Sequence, residues 1–311
     1  MIRAFELSFF KCSEHFIERL QRETKMDSKN LDKLITEILA IEAESAKEAG
    51  TIGYMARILT QATIPHKKVL GNEFTRTNGV FSLSILSPAK IGLPYGTLPR
   101  LLLSWITTEA VRKKTPEIVL GHTLSGFMQE LGLIPSGGRW GTITRLRDQM
   151  QRLFSSSISC HYEKEAEQGS SLGFKLAKGY NLWWQQKQPE QAALWESTVT
   201  LSKDFFEEIV NRPVPIDLRA LSALKRSPLS LDIYCWLTYR MSYLNKQTII
   251  PWKVLQAQFG ADYKRTRDFK KKFINKLRVV RAVYPEAKIE DGDTCLILHP
   301  SKPHVPGLFV G

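Results

Sequence analysis

Cysteine is scarce in this chain, with only four among 311 residues. Cys12, Cys160, Cys235 and Cys295 lie far apart, and no two of them have the CxxC spacing. A structural zinc site needs clustered ligands, and a small secreted domain needs a denser set of cysteines, so the pattern excludes both classes. We expect reduced, buried thiols and therefore a cytoplasmic protein.

Long apolar runs are also lacking. No window approaches the roughly 18 consecutive apolar residues of a membrane span. The first 20 residues carry a charge every few positions, which is unlike the uncharged core of a signal peptide. We therefore expect no membrane partner.

The usual signatures of catalysis are missing as well. The chain has no GxxxxGK[ST] phosphate-binding loop, and its six histidines show no HxH or HxxxH spacing. Asp291 and Asp293 form a pair of acids in "DGD", but this stretch is also the best hairpin turn in the chain, and we favour the turn. We expect a non-enzymatic protein with no catalytic residue, no metal and no cofactor.

Acidic residues are few relative to basic ones. There are 31 Asp and Glu against 44 Lys and Arg, which gives a net charge of +13. Residues 201–311 hold 19 of the basic and 11 of the acidic side chains, so most of the excess lies in the last third. A concentrated positive charge indicates a polyanionic partner such as nucleic acid.

The order of predicted elements occurs twice. The first copy has a helix near 98–114, a strand in "PEIVLG", a helix in "HTLSGFMQELGL", a helix over 139–154, and strands in "SSSISCHYE", "LGFKLAKGYNLWW" and "LWESTVTLS". The second has a helix in 227–244, a strand in "TIIP", a helix in "WKVLQAQFG", a long basic helix in "ADYKRTRDFKKKFINKLRVV", and a hairpin turning on Asp291-Gly292. Helix, strand, helix, helix and a β-ribbon is the order of a winged helix, and two copies indicate duplication.

These patterns predict an α+β fold with two tandem winged-helix domains preceded by a mainly helical N-terminal segment. "FTRTNGVFSLSILSP" predicts a hairpin at Asn78-Gly79, and "VNRPVPIDLRALSALKRSP", interrupted by prolines, predicts the joint between domains. The boundaries that follow are a helical extension over 1–72, a first winged-helix domain over 73–201, a second over 202–305, and a tail over 306–311. We expect the wings near Lys164 to Lys175 and near Lys288 to Thr294, in contact with phosphates or the minor groove.

Two long helices each combine an apolar face with a face of hydrogen-bond donors. Six of the nine residues 264–272 are basic, and acids are too few to balance them as i,i+4 pairs. A major groove admits such a helix, where Arg and Lys reach guanine or phosphate and Asn and Gln match adenine. The predicted DNA-binding residues are Arg139, Thr144, Arg145, Gln149, Arg152, Lys264, Arg265, Arg267, Lys270, Lys271, Lys272, Asn275 and Arg278.

The stretch "SGGRWG" precedes the first of these helices. We expect Gly137 and Gly138 to allow a sharp turn, and Gly141 to allow a close approach between backbones. Free N–H groups at the helix start are suited to a DNA phosphate. Most tryptophans should be packing residues, namely Trp183, Trp184, Trp195, Trp236 and Trp252, whereas Trp140 at the helix start is ambiguous.

Several runs resemble the plasmid-encoded RepA replication initiator family: "FTRTNG" (74–79), "GLPYGTLPRLLLSWITTEAVR" (92–112) and "SGGRWGTITRLRDQMQRLFSSSISCHYE" (136–163). The resemblance covers roughly residues 70–310. It implies a protein that binds repeated sequences (iterons) in the double-stranded DNA of a plasmid origin in the bacterial cytoplasm. It also implies a dimer, main groove contacts from the C-terminal domain, and recruitment of the host initiator and replicative helicase.

Three alternatives remain open at this point. A transcriptional repressor of the same fold would bind an operator without opening an origin. A catalytic replication protein would show metal-dependent nicking or primer synthesis. "QMQRLF" (149–154) is faintly similar to peptides that dock on sliding clamps, although Leu153 and Phe154 are expected in the core.

Overall fold

The computed structural model describes residues 28–164, 168–184, 188–193, 196–260 and 263–306. The fold is mixed α+β. The helices are α1 Ser28–Ala43, α2 Ile58–Gln61, α3 Leu98–Lys113, α4 Leu124–Glu130, α5 Thr142–Phe154, α6 Lys203–Asn211, α7 Leu218–Leu224, α8 Pro228–Met241, α9 Trp252–Phe259 and α10 Thr266–Val283. The strands are β1 Ile52–Ala56, β2 Glu73–Asn78, β3 Phe81–Leu86, β4 Glu117–Gly121, β5 Ser157–Lys164, β6 Gln168–Lys175, β7 Ala177–Asn181, β8 Ser197–Leu201, β9 Pro213–Asp217, β10 Thr248–Pro251, β11 Ile289–Asp291 and β12 Cys295–Leu298.

Two parts of the chain share one order of elements. The first unit consists of α3, β4, α4, α5, β7 and β8, and its antiparallel sheet has the order β4-β8-β7. The second unit consists of α8, β10, α9, α10, β11 and β12, and its sheet has the order β10-β12-β11. In both units the first strand pairs with the last, so the repeat predicted from the sequence extends to strand pairing.

The first unit contains an inserted hairpin, which lies in a different sheet from the one expected. Strands β5 and β6 follow α5 but join the hairpin of β2 and β3 in a separate sheet of order β2-β3-β5-β6. Lys164 and Gln168–Lys175, the described residues of the segment predicted as a wing, therefore belong to this sheet, and the expectation that they form the wing of the first unit was wrong. The predicted β2–β3 hairpin is present, with Asn78 paired to Phe81 so that Gly79 and Val80 form the turn. Gly79 has a φ of +59°, which explains the glycine.

The segment between the units is more ordered than its prolines indicated. Residues 213–217 form β9, which pairs antiparallel with β1, so a strand before the first unit meets a strand before the second. Pro213 and Pro215 fit here because a two-stranded ribbon has a free edge on each strand. The division at residues 72, 201 and 305 remains a prediction, since one continuous cluster of buried apolar side chains runs through both units.

Most of the predicted core positions are buried. Trp184, Trp236 and Trp252 are inside, whereas Trp183 is half-exposed and Trp195 lies outside the described residues. Cys160, Cys235 and Cys295 are free thiols, and Cys12 lies outside the described residues. Burial raises the pKa of Cys160 to about 12, so this thiol stays protonated near neutral pH. Within the described part of the chain, no helix is long and apolar enough to cross a bilayer.

A buried ion pair joins the two units. Arg100 on α3 is 4% exposed, and its Nε and Nη2 donate to the two carboxylate oxygens of Asp232 on α8 at 2.6 and 2.7 Å. Its remaining N–H groups donate to the carbonyls of Ile64, Pro65 and Gly96. All five guanidinium donors are thus used, which is the condition for tolerating a buried charge.

His66 completes this cluster from the loop after α2. Its Nε2 lies 2.7 Å from Asp232 Oδ2. Burial lowers the pKa of His66 and outweighs the opposing effect of Asp232, so the neutral ring donates its Nε2–H to the carboxylate. Burial alone would raise the pKa of Asp232, but Arg100 and the hydrogen bonds from His66 and Arg100 outweigh it and lower that pKa. The cluster is one anion held by one cation and one neutral donor.

Removing the carboxylate should strongly destabilise the fold. Asp232→Ala leaves the Arg100 cation buried without its counterion, and we expect a loss of about 3–5 kcal/mol in the free energy of unfolding, measured with urea. Lys113→Ala breaks the pair between the exposed Lys113 and the half-buried Glu109 on the same helix α3 and serves as the control, with an expected loss of about 0–1 kcal/mol. If Asp232→Ala does not fold, the double variant Arg100→Met with Asp232→Leu should restore folding. Equal losses for Asp232→Ala and Lys113→Ala would contradict a structural role for the pair.

Candidate nucleic-acid interface

Helix α10 is held by its apolar face, as its sequence predicted. Phe269, Phe273, Leu277 and Val280 are buried, and the helix packs against α8 and α9. The helix also packs against α1 and α7, and near its C-terminus Val279, Ala282 and Val283 are buried as well. The exposed basic surface is therefore concentrated in the N-terminal part of α10 and the residues just before it.

The basic residues of this surface are arranged by the helical repeat. At 100° per residue, Arg267, Lys271, Asn275 and Arg278 form one stripe opposite the buried face. Lys264, Arg265, Arg267, Lys271 and Lys272 are exposed, while Lys270, Asn275 and Arg278 are half-buried. Burial and the neighbouring Lys272 lower the pKa of Lys276, a residue absent from the predicted set. We name the stripe with Lys264, Arg265 and Lys272 the α10 basic surface.

Lys270 has a different role from the one predicted. Its Nζ donates to the carbonyl of Asp293 at 2.9 Å and lies 5.5 Å from the centre of the Trp252 ring. Trp252 in turn donates its Nε1–H to the carbonyl of Gly292 and its backbone N–H to that of Thr294. These three bonds fix the turn over residues 291–294, the β11–β12 turn, against α9 and α10.

The side chains of the β11–β12 turn are acidic. Asp291 and Asp293 are exposed, and Asp293 is fully so. We expected residues from Lys288 to Thr294 to contact phosphate, but carboxylates at the tip repel it. The turn is therefore unsuited to that contact.

Helix α5 is seated on the first unit in the same manner. Ile143, Leu146, Met150, Leu153 and Phe154 are buried as predicted, and the helix packs against α3 and β7. Leu153 and Phe154 are thus unavailable to a sliding clamp. Arg139, Thr144 and Arg145 are exposed. Arg147, which is absent from the predicted set of DNA-binding residues, is exposed as well.

Two predicted contacts of α5 are turned inward. Gln149 is only 4% exposed, and its Oε1 accepts from the backbone N–H of Tyr95 at 2.9 Å while its Nε2 donates to Asp148. Arg152 bonds Asp148 at 2.8 Å, donates to the carbonyl of Leu93 and lies 5.7 Å from the Tyr95 ring. Both residues hold the loop that enters α3, so we remove them from the interface.

The loop before α5 is hydrogen-bonded to the start of the helix. Ser136 and Thr142 exchange hydrogen bonds, because the Thr142 N–H donates to Ser136 Oγ and the Ser136 N–H donates to Thr142 Oγ1, each at 2.9 Å. The Ile143 N–H donates to the carbonyl of Ser136. The expectation of free N–H groups for a phosphate is wrong at these two positions of the helix start.

Trp140 is the most prominent apolar group on this loop. It is 79% exposed, and the Arg139 guanidinium lies 5.1 Å from its ring centre. A hydrogen-bonded loop that presents an exposed aromatic ring beside an arginine is suited to contact with bases. The role of Trp140 was ambiguous in the sequence, and the structure shows that it is exposed, as are Arg139, Arg145 and Arg147.

Comparisons with known proteins bear on family and fold. Residues 93–253, more than half of the chain, match the family model described as plasmid encoded RepA protein. Comparison with curated protein sequences gave no match. The described fold is similar to a crystal structure of selenomethionine derivatives of domains 2 and 3 of RctB, with a TM-score of 0.52 and 14% identity over 80% of this chain and 97% of that one. A second crystal structure, of RctB domains 2–3, gives a TM-score of 0.46 and 13% identity over 78% and 96%.

A methyl group at Gly141 should disrupt the loop before α5. A Cβ there would overlap with the carbonyl oxygens of Ser136 and Gly137. We expect Gly141→Ala to lower the free energy of unfolding by about 1–3 kcal/mol, measured with urea, because backbone atoms must move. Gly137→Ala is the matched control, since its Cβ meets nothing within 4 Å, and it should change stability by less than about 0.5 kcal/mol. Indistinguishable variants would refute the close packing of this loop.

Proposed function

This chain belongs to the family of plasmid-encoded RepA proteins, which are replication initiators, and we propose that it acts by binding iterons in a plasmid origin. The α10 basic surface carries this proposal. It is a row of cationic and amide side chains on a helix whose opposite face is fixed in a core. Such a helix offers donors to a major groove without a large cost of ordering.

We propose further that both units are winged-helix domains. The support is their shared order of helix, strand, helix, helix, strand, strand, with the first strand paired to the last. In a winged helix the third helix enters the major groove, and this position is held by α5 in the first unit and α10 in the second. Both helices carry exposed arginines in their N-terminal halves.

In this proposal the two helices bind different segments of the duplex. On α10, Arg267, Lys271 and Arg278 bind guanine edges or phosphates, and Asn275 binds adenine. On the first unit, Arg139, Trp140, Thr144, Arg145 and Arg147 contact a neighbouring segment of the same duplex. The larger excess of basic residues in the last third makes the second unit the stronger binder.

The remaining steps rest on the family. We propose that the chain forms a dimer, deforms the duplex beside an AT-rich segment, and recruits the host initiator and helicase without a catalytic residue, metal or cofactor of its own. An operator-binding repressor would use the same surface. Family membership favours initiation over repression.

Removing two side chains from the α10 basic surface should weaken specific binding. We expect Lys271→Ala with Asn275→Ala to cost about 1–3 kcal/mol for each base that the protein no longer binds, measured by fluorescence anisotropy on a duplex with the repeats that flank the gene. Lys203→Ala on α6 is the control, because its side chain is 84% exposed and distant in sequence from the proposed surface. It should bind as the wild type does. An unchanged affinity of the double variant would remove α10 from the interface.

A further inference from the structure

We propose that the acidic β11–β12 turn is a specificity determinant that acts by repulsion: it penalises binding to duplex of arbitrary sequence. The inference rests on the proposed function. It concerns Asp291 and Asp293, which that function does not use. Both carboxylates are exposed, and the turn that carries them is attached to α10 at Lys270, on one flank of the basic surface.

The turn is held in place without its carboxylates. Lys270 and Trp252 bond the backbone carbonyls of residues 292, 293 and 294, so the main chain carries the attachment. Asp293 Oδ1 lies 3.7 Å from Lys270 Nζ, but its side chain is fully exposed, and a pair in such a position contributes little. An Asp before Gly292 suits a turn, whereas no contact in the turn requires a second acid at 293.

The carboxylates of Asp291 and Asp293 can repel DNA because the turn lies beside the α10 basic surface. Lys270 and Lys272 lie on opposite flanks of α10, about 200° apart around the helix axis. The turn is attached at Lys270, so its acids border one side of the basic surface, while Lys272 and the exposed Asp268 of the first turn of α10 lie on the other. A duplex that contacts the Lys271 stripe avoids the acids of the β11–β12 turn only if it is displaced toward the Lys272 side.

Specific and non-specific complexes respond differently to this border. Non-specific affinity comes almost wholly from phosphate contacts, and such a complex samples many positions of the duplex over the basic surface. The acids of the turn repel the phosphates of any duplex that covers the turn, so these positions of the duplex become unfavourable. A cognate duplex is held by base contacts on the stripe, so it already lies away from the acids. The acids therefore lower non-specific affinity more than specific affinity, which raises the ratio between them.

The test is Asp291→Asn with Asp293→Asn, which keeps every backbone carbonyl of the turn. Affinity is measured for a duplex with the flanking repeats and for a scrambled duplex of equal length, at several salt concentrations. We expect affinity for the scrambled duplex to rise about three- to tenfold at low salt, with a smaller rise at high salt, because the repulsion is screened. Affinity for the cognate duplex should change by less than about twofold.

The control is Asp204→Asn with Glu207→Gln on α6. It removes an equal number of exposed negative charges from a helix packed against α3, β1, β6 and β9. It should leave the ratio of cognate to scrambled affinity unchanged, and the melting temperature of both variants should match the wild type. An unchanged ratio in the turn variant would overturn the inference. So would a loss of cognate affinity, since the acids would then be accepting hydrogen bonds from cytosine. A wild-type chain that binds neither duplex would instead overturn the proposed function.

Discussion

The buried pair of Arg100 and Asp232 is the interaction on which the arrangement of the two units depends. It joins the first helix of one unit to the first helix of the other, and it lies where neither charge can be solvated. Its energetic consequence is asymmetric. The pair adds little net stability compared with an apolar contact, but burying either charge without the other is costly, so packed arrangements of the two units that keep Arg100 and Asp232 apart are disfavoured. Three loop carbonyls and His66 bind the same two side chains, which extends the constraint to the segment before α3.

The two units that the pair joins carry the helices α5 and α10. Helices α5 and α10 each bury an apolar face against their own unit, and burial decides which of their basic residues remain available. On α5 the contact with the loop at Tyr95 draws Gln149 and Arg152 inward and leaves Arg145 and Arg147 outside. On α10 more side chains are buried in the C-terminal half, and most of the exposed lysines and arginines lie in the N-terminal half. The charge distribution of the surface is thus a consequence of packing.

Much of this could be predicted from periodicity and turn residues. The apolar faces of α5 and α10, the order of elements in both units and the β2–β3 hairpin are local properties, and the structure confirms them. The pair of Arg100 and Asp232 joins residues 132 positions apart, and β1 pairs with a strand that follows it by more than 150 residues; no local pattern marks such contacts. The inward turn of Gln149 depends on a backbone N–H at Tyr95, and the insertion of β5 and β6 depends on a partner strand earlier in the chain. Helical periodicity assigns a residue to a face, but a neighbouring loop decides whether that face is exposed.

Replication in trans tests the central claim most directly. A plasmid whose only origin is the DNA flanking this gene is introduced into cells that supply the chain from another locus, and its copy number is measured. If the chain is an initiator that acts through the α10 basic surface, the plasmid is maintained with the wild-type chain and lost with Lys271→Ala and Asn275→Ala. Loss of the plasmid in the presence of a folded, repeat-binding wild-type chain would contradict the account and indicate a repressor instead.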